Sequence, residues 1–266
     1  MCTVAGGALT ATMIPEGRRG EGLALVGLIS GVSGLLALPA GVWAAGRWGY
    51  PPVFVVTATV TLLALVSVPA LPGRAIRDTT SGHRGVAADL RRPAMVRLAA
   101  IFASSTVAVG VLVTFLPLAT AGGPTWLAPA ALLAQPAAAT AARWGAGRLG
   151  DRRGPARLLL PGLVLAVIGM VGVAATGAPA AVIAGSLAFG AGFGILQNTT
   201  LALMYDGTAA GDESTVSAIW NTAYDLGMGS GALVAGLVVT SIGYSMTFVL
   251  ATVAMLPAFA LVRRIR

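Results

Sequence analysis

The residues best suited to chemistry are polar side chains that interrupt long apolar stretches. Asp225 lies in the segment 220–227, with Tyr224 beside it and Asn221 four residues earlier, on the same face of a helix. A carboxylate inside an apolar helix can bind and release a proton or contact a substrate, and such groups tend to face a cavity or a partner. The alternative is a structural acid that is hydrogen-bonded to a neighbouring helix end. The sequence leaves both roles open for Asp225.

A second polar group follows three closely spaced glycines. Gln197 and Asn198 stand next to two threonines in the segment 180–205, which is otherwise apolar. Polar side chains inside a membrane need hydrogen-bond partners, because an unsatisfied group there is costly. Lining a substrate path and bonding between helices are equally good solutions. Gln135 is an isolated case, for which a structural role is expected.

Few residues could support enzyme chemistry or hold a metal. Cys2 is the only cysteine and His83 is the only histidine in 266 residues. The chain therefore has no internal disulfide and no cage of thiolates for a metal ion. We expect no metal site, no cofactor and no enzymatic activity.

The elements that position these polar residues must be membrane helices. The chain is 56% hydrophobic and only 10% charged, whereas a soluble domain carries about 25% charged residues. All 17 basic residues are arginines, and 16 of them are predicted to lie in loops or helix ends on one alternating side, with Arg47 as the exception. This arrangement is the positive-inside pattern, so the net charge of +8 indicates a lipid bilayer rather than nucleic acid.

The apolar runs predict an all-α integral membrane protein with eight complete crossings. Each run is close to the roughly 20 residues that span a bilayer. A short apolar stub at 2–14 precedes the crossings, which are predicted at 22–46, 52–71, 95–120, 124–145, 156–178, 180–205, 215–241 and 245–262. The arginine-rich segment 73–94 is predicted to be a cytoplasmic linker, which separates residues 1–72 from a six-helix bundle at 95–266. The C-terminus is predicted to be cytoplasmic as well.

A charged segment at 147–154 separates two uncharged runs, 124–142 and 158–176, and is predicted to form a hairpin at the membrane surface. It resembles the loop signature of the major facilitator superfamily, G-x-L-x-D-R-x-G. The matching positions are Gly147, Leu149, Asp151, Arg152 and Gly154. The segment departs from the signature after the last glycine, because Pro155 and Ala156 stand where two basic residues are usual.

Two further runs are similar to those of bacterial drug-efflux facilitators, Gly192-Phe-Gly-x-x-Gln-Asn198 and Tyr224-Asp-Leu-Gly227. By this resemblance, Asp151 would contact the beginning of the following bundle helix near 214–217 and close the cytoplasmic side. The antiporter signature of this family is a Gly-Pro-x-x-Gly-Gly run, of which the segment 38–43 keeps only the proline. That departure leaves the direction of transport open.

A short internal repeat relates the two ends of the chain. Gly49, Tyr50 and Phe54 reappear 194 residues later as Gly243, Tyr244 and Phe248. The resemblance implies a partial major facilitator fold that lacks helices one to three and most of helix four, with a complete C-terminal bundle.

The function implied by the resemblance is that of a secondary transporter in the cell membrane. It would export a small organic molecule by alternating access, with protons as the candidate coupling ion and a monomer as the expected state. The alternative is a truncated product that inserts into the membrane but does not transport. The substrate, the coupling ion and the direction of transport cannot be read from the residues.

Overall fold

A computed structural model describes residues 22, 24, 25, 44, 47–65, 92–208 and 212–265. The regular elements within these residues are seven helices, which confirms the prediction of an all-α protein. They are α1 (Tyr50–Leu65), α2 (Pro93–Ala119), α3 (Leu127–Arg153), α4 (Ala156–Ala174), α5 (Pro179–Asp206), α6 (Glu213–Met255) and α7 (Pro257–Arg263). The predicted stub at 2–14, the segment 38–43, most of the crossing 22–46 and the linker residues 73–91 lie outside the described residues. The count of eight crossings therefore stays a prediction.

Four helical segments of the described chain are long and apolar enough to cross a membrane. They are α2, α4, α5 and the 51-residue segment Glu213–Arg263 that α6 and α7 make together. The backbone of this last segment leaves the helical conformation at Gly243, with φ 76° and ψ 168°. The break falls between the predicted crossings 215–241 and 245–262. Helix α1, which belongs to a separate unit at Val32–His83, is apolar but shorter.

The predicted hairpin at 147–154 is wrong in shape, because α3 continues through it to Arg153. Only Gly154, with φ 85°, and Pro155 reverse the chain before α4 begins. Propensity alone does not explain this continuation, because Gly147, Gly150 and Asp151 are poor helix formers; the burial of both glycines indicates that packing holds the segment in the helix. Arg152 and Arg153 also occupy the last turn, where cations are stabilised by the negative end of the helix dipole.

Helix α5 packs directly on the backbone of α3. A Cβ atom added at Gly190 would lie 2.1 Å from the carbonyl oxygen of Gln135, and one at Gly194 would lie 2.1 Å from that of Ala139. The residue numbers of these contacts rise together along the two helices, so α3 and α5 run parallel. Residues that are 55 apart in the sequence face each other. We call this contact the α3–α5 seam. Only glycine allows such an approach of two backbones.

Helix α5 uses a different set of glycines against α4. Gly185 meets the backbone of Gly169 at 2.6 Å, and Gly192 meets that of Ala166 at 2.4 Å, both measured from an added Cβ atom. The residue numbers of these contacts rise along α5 while they fall along α4, so α4 and α5 are antiparallel. The glycines of α5 thus allow one helix to approach two neighbours closely.

Helices α2 and α6 repeat the parallel arrangement of the α3–α5 seam. A Cβ atom at Gly227 would lie 2.8 Å from the carbonyl oxygen of Ala103, and one at Gly231 would lie 2.2 Å from that of Val107. Because membrane helices gain little from the hydrophobic effect among themselves, close dispersion contact and hydrogen bonds hold them together. Two parallel pairs with glycines four residues apart therefore support the bundle.

Hydrogen bonds join helix ends of the bundle at two places. Thr176, after α4, and Ser245, after the break in α6, have hydroxyl oxygens 3.0 Å apart. At another level, Arg97 near the start of α2 donates to the carbonyl oxygen of Arg264, 3.4 Å away. Each contact thus joins two helix ends that the arginine pattern predicts to lie on the same side of the membrane.

The repeat around Gly49 and Gly243 extends to the backbone. Both glycines have a positive φ, 80° and 76°, and Gly154 is the third described residue with this conformation. A tyrosine follows Gly49 and Gly243 in each case. The two segments therefore share a positive φ, a backbone conformation that residues other than glycine rarely adopt.

Candidate functional site

Five aromatic rings from α2, α5 and α6 meet inside the bundle. The tightest pair is Phe102 and Trp220, whose ring centroids are 4.3 Å apart at an interplanar angle of 13°. The members of this ring cluster are Phe102, Phe189, Phe193, Trp220 and Tyr224, and neighbouring centroids lie up to 6.5 Å apart. Such aromatic contacts contribute about 0.5–1.5 kcal/mol each beyond the area that they bury. The cluster fixes the positions of the polar residues beside it.

The polar run on α5 is partly used for bonding between helices. The indole Nε1 of Trp220 donates to Oγ1 of Thr200 at 3.3 Å. The same hydroxyl group donates to the carbonyl oxygen of Leu196 at 2.7 Å. Thr200 thus satisfies the expectation of an interhelical bond.

Asn198 is a different case, although it lies two residues away. Its side chain is only 3% exposed, and its Oδ1 atom has no hydrogen-bond partner among the residues that the structure describes. The hydroxyl oxygen of Thr199 is in the same state within these ranges. Gln197 is half-buried. A polar atom that is buried without a partner is costly, so Asn198 and Thr199 are the members of this run that require a ligand or a water molecule.

Asn221 and Asp225 have different surroundings on α6. The amide of Asn221 donates to the carbonyl oxygen of Ser217 at 2.8 Å, within its own helix. Asp225 is exposed on the described bundle, twelve residues after the beginning of α6. Tyr224 is half-buried and interacts electrostatically with Asp225 and with Arg143. The roles of Asp225, Asn221 and Tyr224 at a site stay predictions.

Arg143 was missed as a site residue because it was assigned to a helix end. Helix α3 continues for ten residues beyond it, or about 15 Å, so this assignment is wrong. The residue is half-buried, and its Nε atom has no hydrogen-bond partner in the described part of the chain. No sequence signal identifies it, because the four-residue spacing from Ala139 has meaning only once the contact of Ala139 with Gly194 is known.

The residues of the loop signature divide between the inside and the surface of the bundle. Gly147 is buried and Leu149 is half-buried, whereas Asp151, Arg152 and Gly154 are exposed. The contact of Asp151 with the segment 214–217 stays a prediction.

Comparison with known families agrees with this architecture. The family model described as Major Facilitator Superfamily matches residues 1–232 and matches again over residues 146–266. No curated protein matches the chain. The matches together cover the chain from end to end, and the described part is helical with apolar segments long enough to cross a bilayer. The chain is a multi-pass membrane protein that belongs to the major facilitator superfamily, a family of membrane transporters.

Proposed function

We propose that this protein is a secondary active transporter that exports a small organic molecule across the cell membrane by alternating access, coupled to protons. Membership of the major facilitator superfamily supports transport in general. The finer parts of the proposal rest on the polar residues of α5 and α6. The linker and the C-terminus lie in the cytoplasm in this proposal, in line with the arginines that they carry.

The observation that carries the proposal is the carboxylate of Asp225. It lies twelve residues into α6 and eighteen residues before the break at Gly243, far from both helix ends. A carboxylate at the centre of a membrane helix costs about 2.5–3.5 kcal/mol on insertion scales, so it requires contact with water, a partner or a substrate. Because Asp225 is exposed on the bundle, a water-filled path is the environment that suits it best.

A proton-coupled exchanger needs one group that is protonated in one state and charged in the other. Asp225 can fill this role, because it is the acidic side chain that lies inside this apolar helix. Alternating access requires that the bundles move as units, and the close backbone contacts of the α3–α5 seam make the bundle suited to rigid-body motion.

The test uses the full chain in proteoliposomes that contain a pH-sensitive dye. Ethidium serves as a cationic probe and benzoate as an anionic one, each added with and without a proton gradient. We expect at least one probe to move with a linked proton flux. Asp225→Asn should abolish the proton flux, whereas Asp225→Glu, which keeps an acid at the same position, should retain it.

Two results would contradict the proposal. A chain that inserts into the membrane but moves neither probe is the non-transporting alternative, and it would remove the transport function. Transport that continues unchanged after the gradient is collapsed, or in Asp225→Asn, would remove the coupling to protons.

A further inference from the structure

The polar group that the transport proposal does not use is Arg143 on α3. Its guanidinium keeps its proton in proteins, and its Nε atom is buried without a hydrogen-bond partner among the described residues. A charge removed from water is costly unless another charged or polar group pairs with it. The residue as a whole is only half-buried, so a ligand can still reach the side chain. Arg143 is thus a cation that lacks a partner at its Nε and is accessible.

The register of the α3–α5 seam, continued by one turn, predicts that Asn198 lies across from Arg143. Gln135 faces Gly190 and Ala139 faces Gly194, each pair 55 residues apart. One further turn along two parallel helices pairs residue 143 with residue 198. The seam therefore ends in two polar side chains, each with a buried atom that has no partner within the described ranges.

The ring cluster supplies an apolar, aromatic surface near Arg143. Tyr224 interacts electrostatically with Arg143, and its ring centroid lies 6.5 Å from that of Phe193 and 6.3 Å from that of Trp220. Tyr224 as a whole is only half-buried, so it is not closed off from a ligand. A flat apolar body can pack on this ring while an anionic group contacts the arginine.

We propose that Arg143 and Asn198 bind the carboxylate of an organic acid whose apolar body packs on Tyr224. This inference rests on the proposed transport function, and it makes organic anions the substrate class. The guanidinium matches the planar geometry of a carboxylate, which it can contact through two parallel hydrogen bonds. The amide of Asn198 supplies a further donor to the carboxylate once it flips, since its oxygen and nitrogen ends are nearly isosteric.

Binding is measured on the full chain in lipid nanodiscs through tryptophan fluorescence, because Trp220 belongs to the same ring cluster as Tyr224. Benzoate is the probe, and sulfate and ethidium are compared with it. We expect a saturable change with benzoate and a weaker one or none with sulfate. Arg143→Gln should weaken binding about 10- to 100-fold, the equivalent of about 1.4–2.8 kcal/mol.

Asn198→Asp is a second variant that conserves side-chain volume and does not remove the arginine. Its carboxylate would pair with the guanidinium of Arg143, so benzoate binding should fall to a similar extent. Arg153→Gln is the matched control, because it removes one positive charge from the same helix at an exposed position. This control should bind benzoate as the unchanged chain does.

The fluorescence titration requires neither a gradient nor a flux, so it separates the two proposals. A chain that binds benzoate through Arg143 but moves no probe would remove the transport function and keep the site. A chain that moves ethidium but gives no saturable benzoate signal would overturn the site and keep transport. Equal binding of sulfate and benzoate, or undiminished benzoate binding in both Arg143→Gln and Asn198→Asp, would also overturn it.

Discussion

A single methyl group at position 194 tests the packing that holds the polar side chains in register. In Gly194→Ala, the new Cβ atom would lie 2.1 Å from the carbonyl oxygen of Ala139 and 2.8 Å from the carbonyl carbon and the Cα atom of that residue. Ordinary van der Waals contact begins at 3.4 Å, so α3 and α5 must separate by about 1.3 Å at this point. Because the contacted atoms belong to the backbone, no side-chain rotation can relieve the overlap.

Two opposing effects decide the magnitude. Overpacking of a close contact destabilises a protein by about 1–3 kcal/mol, and separated helices also lose dispersion contacts of about 0.1–0.2 kcal/mol for each atom pair. Alanine is a better helix former than glycine by up to about 1 kcal/mol, which offsets part of this loss. We therefore expect Gly194→Ala to lower the free energy of unfolding by about 1–2 kcal/mol.

Gly145→Ala is the matched control, since Gly145 lies in α3 and an added Cβ atom there would meet nothing within 4 Å. Only the gain in helix propensity applies to it, so its stability should be unchanged or higher by up to about 1 kcal/mol. Both variants are unfolded by sodium dodecyl sulfate in mixed micelles and followed by circular dichroism. Equal free energies of unfolding for the two variants would refute the close contact of the α3–α5 seam.

Two further predictions concern the backbone break and the ring cluster. Gly243→Ala has free space around its Cβ atom but a φ and ψ that essentially only glycine adopts, so it should destabilise by about 1–3 kcal/mol, whereas Gly229→Ala should not. Thermal denaturation in detergent measures this difference, and equal midpoints would contradict it. Trp220→Phe removes the hydrogen bond to Thr200 and should cost about 0.5–1.5 kcal/mol, whereas Trp126→Phe, at a position that is 56% exposed, should change the same midpoint little.

Helix class and several helix boundaries could be predicted because they depend on local composition. An apolar run of spanning length and a glycine-containing turn define α2, α4 and α5 to within a few residues, and proline marks the first turn of α2 and α5 and the N-cap of α4. The end of α3 could not be predicted in the same way. The uncharged run stops before Arg143, and the three glycines between Arg143 and Arg153 disfavour a helix, yet α3 continues to Arg153.

The pairing of side chains between helices depends on tertiary packing, which composition does not encode. Trp220 and Tyr224 lie one turn apart on α6, and this spacing indicates a common face. Nothing in the spacing identifies Phe102 as the ring that stacks on Trp220, or Thr200 as its hydrogen-bond acceptor. The hydrogen bond of Asn221 could not be predicted for a related reason. Its amide donates to the carbonyl oxygen of Ser217, a backbone group that any residue at that position could supply.

The α3–α5 seam shows how packing can turn an ordinary residue into a functional hypothesis. Gly190 and Gly194 mark one face of α5 in the sequence, but the atoms that they contact are backbone carbonyl oxygens of Gln135 and Ala139, which any residue type could supply. Once this register is known, the same offset leads to Arg143 and Asn198, each of which has a buried atom without a partner within the described bundle. Composition alone predicts that Arg143 lies at a membrane surface. The register of the seam instead predicts a position beside the polar residues of α5, where a negatively charged ligand would stabilise its charge.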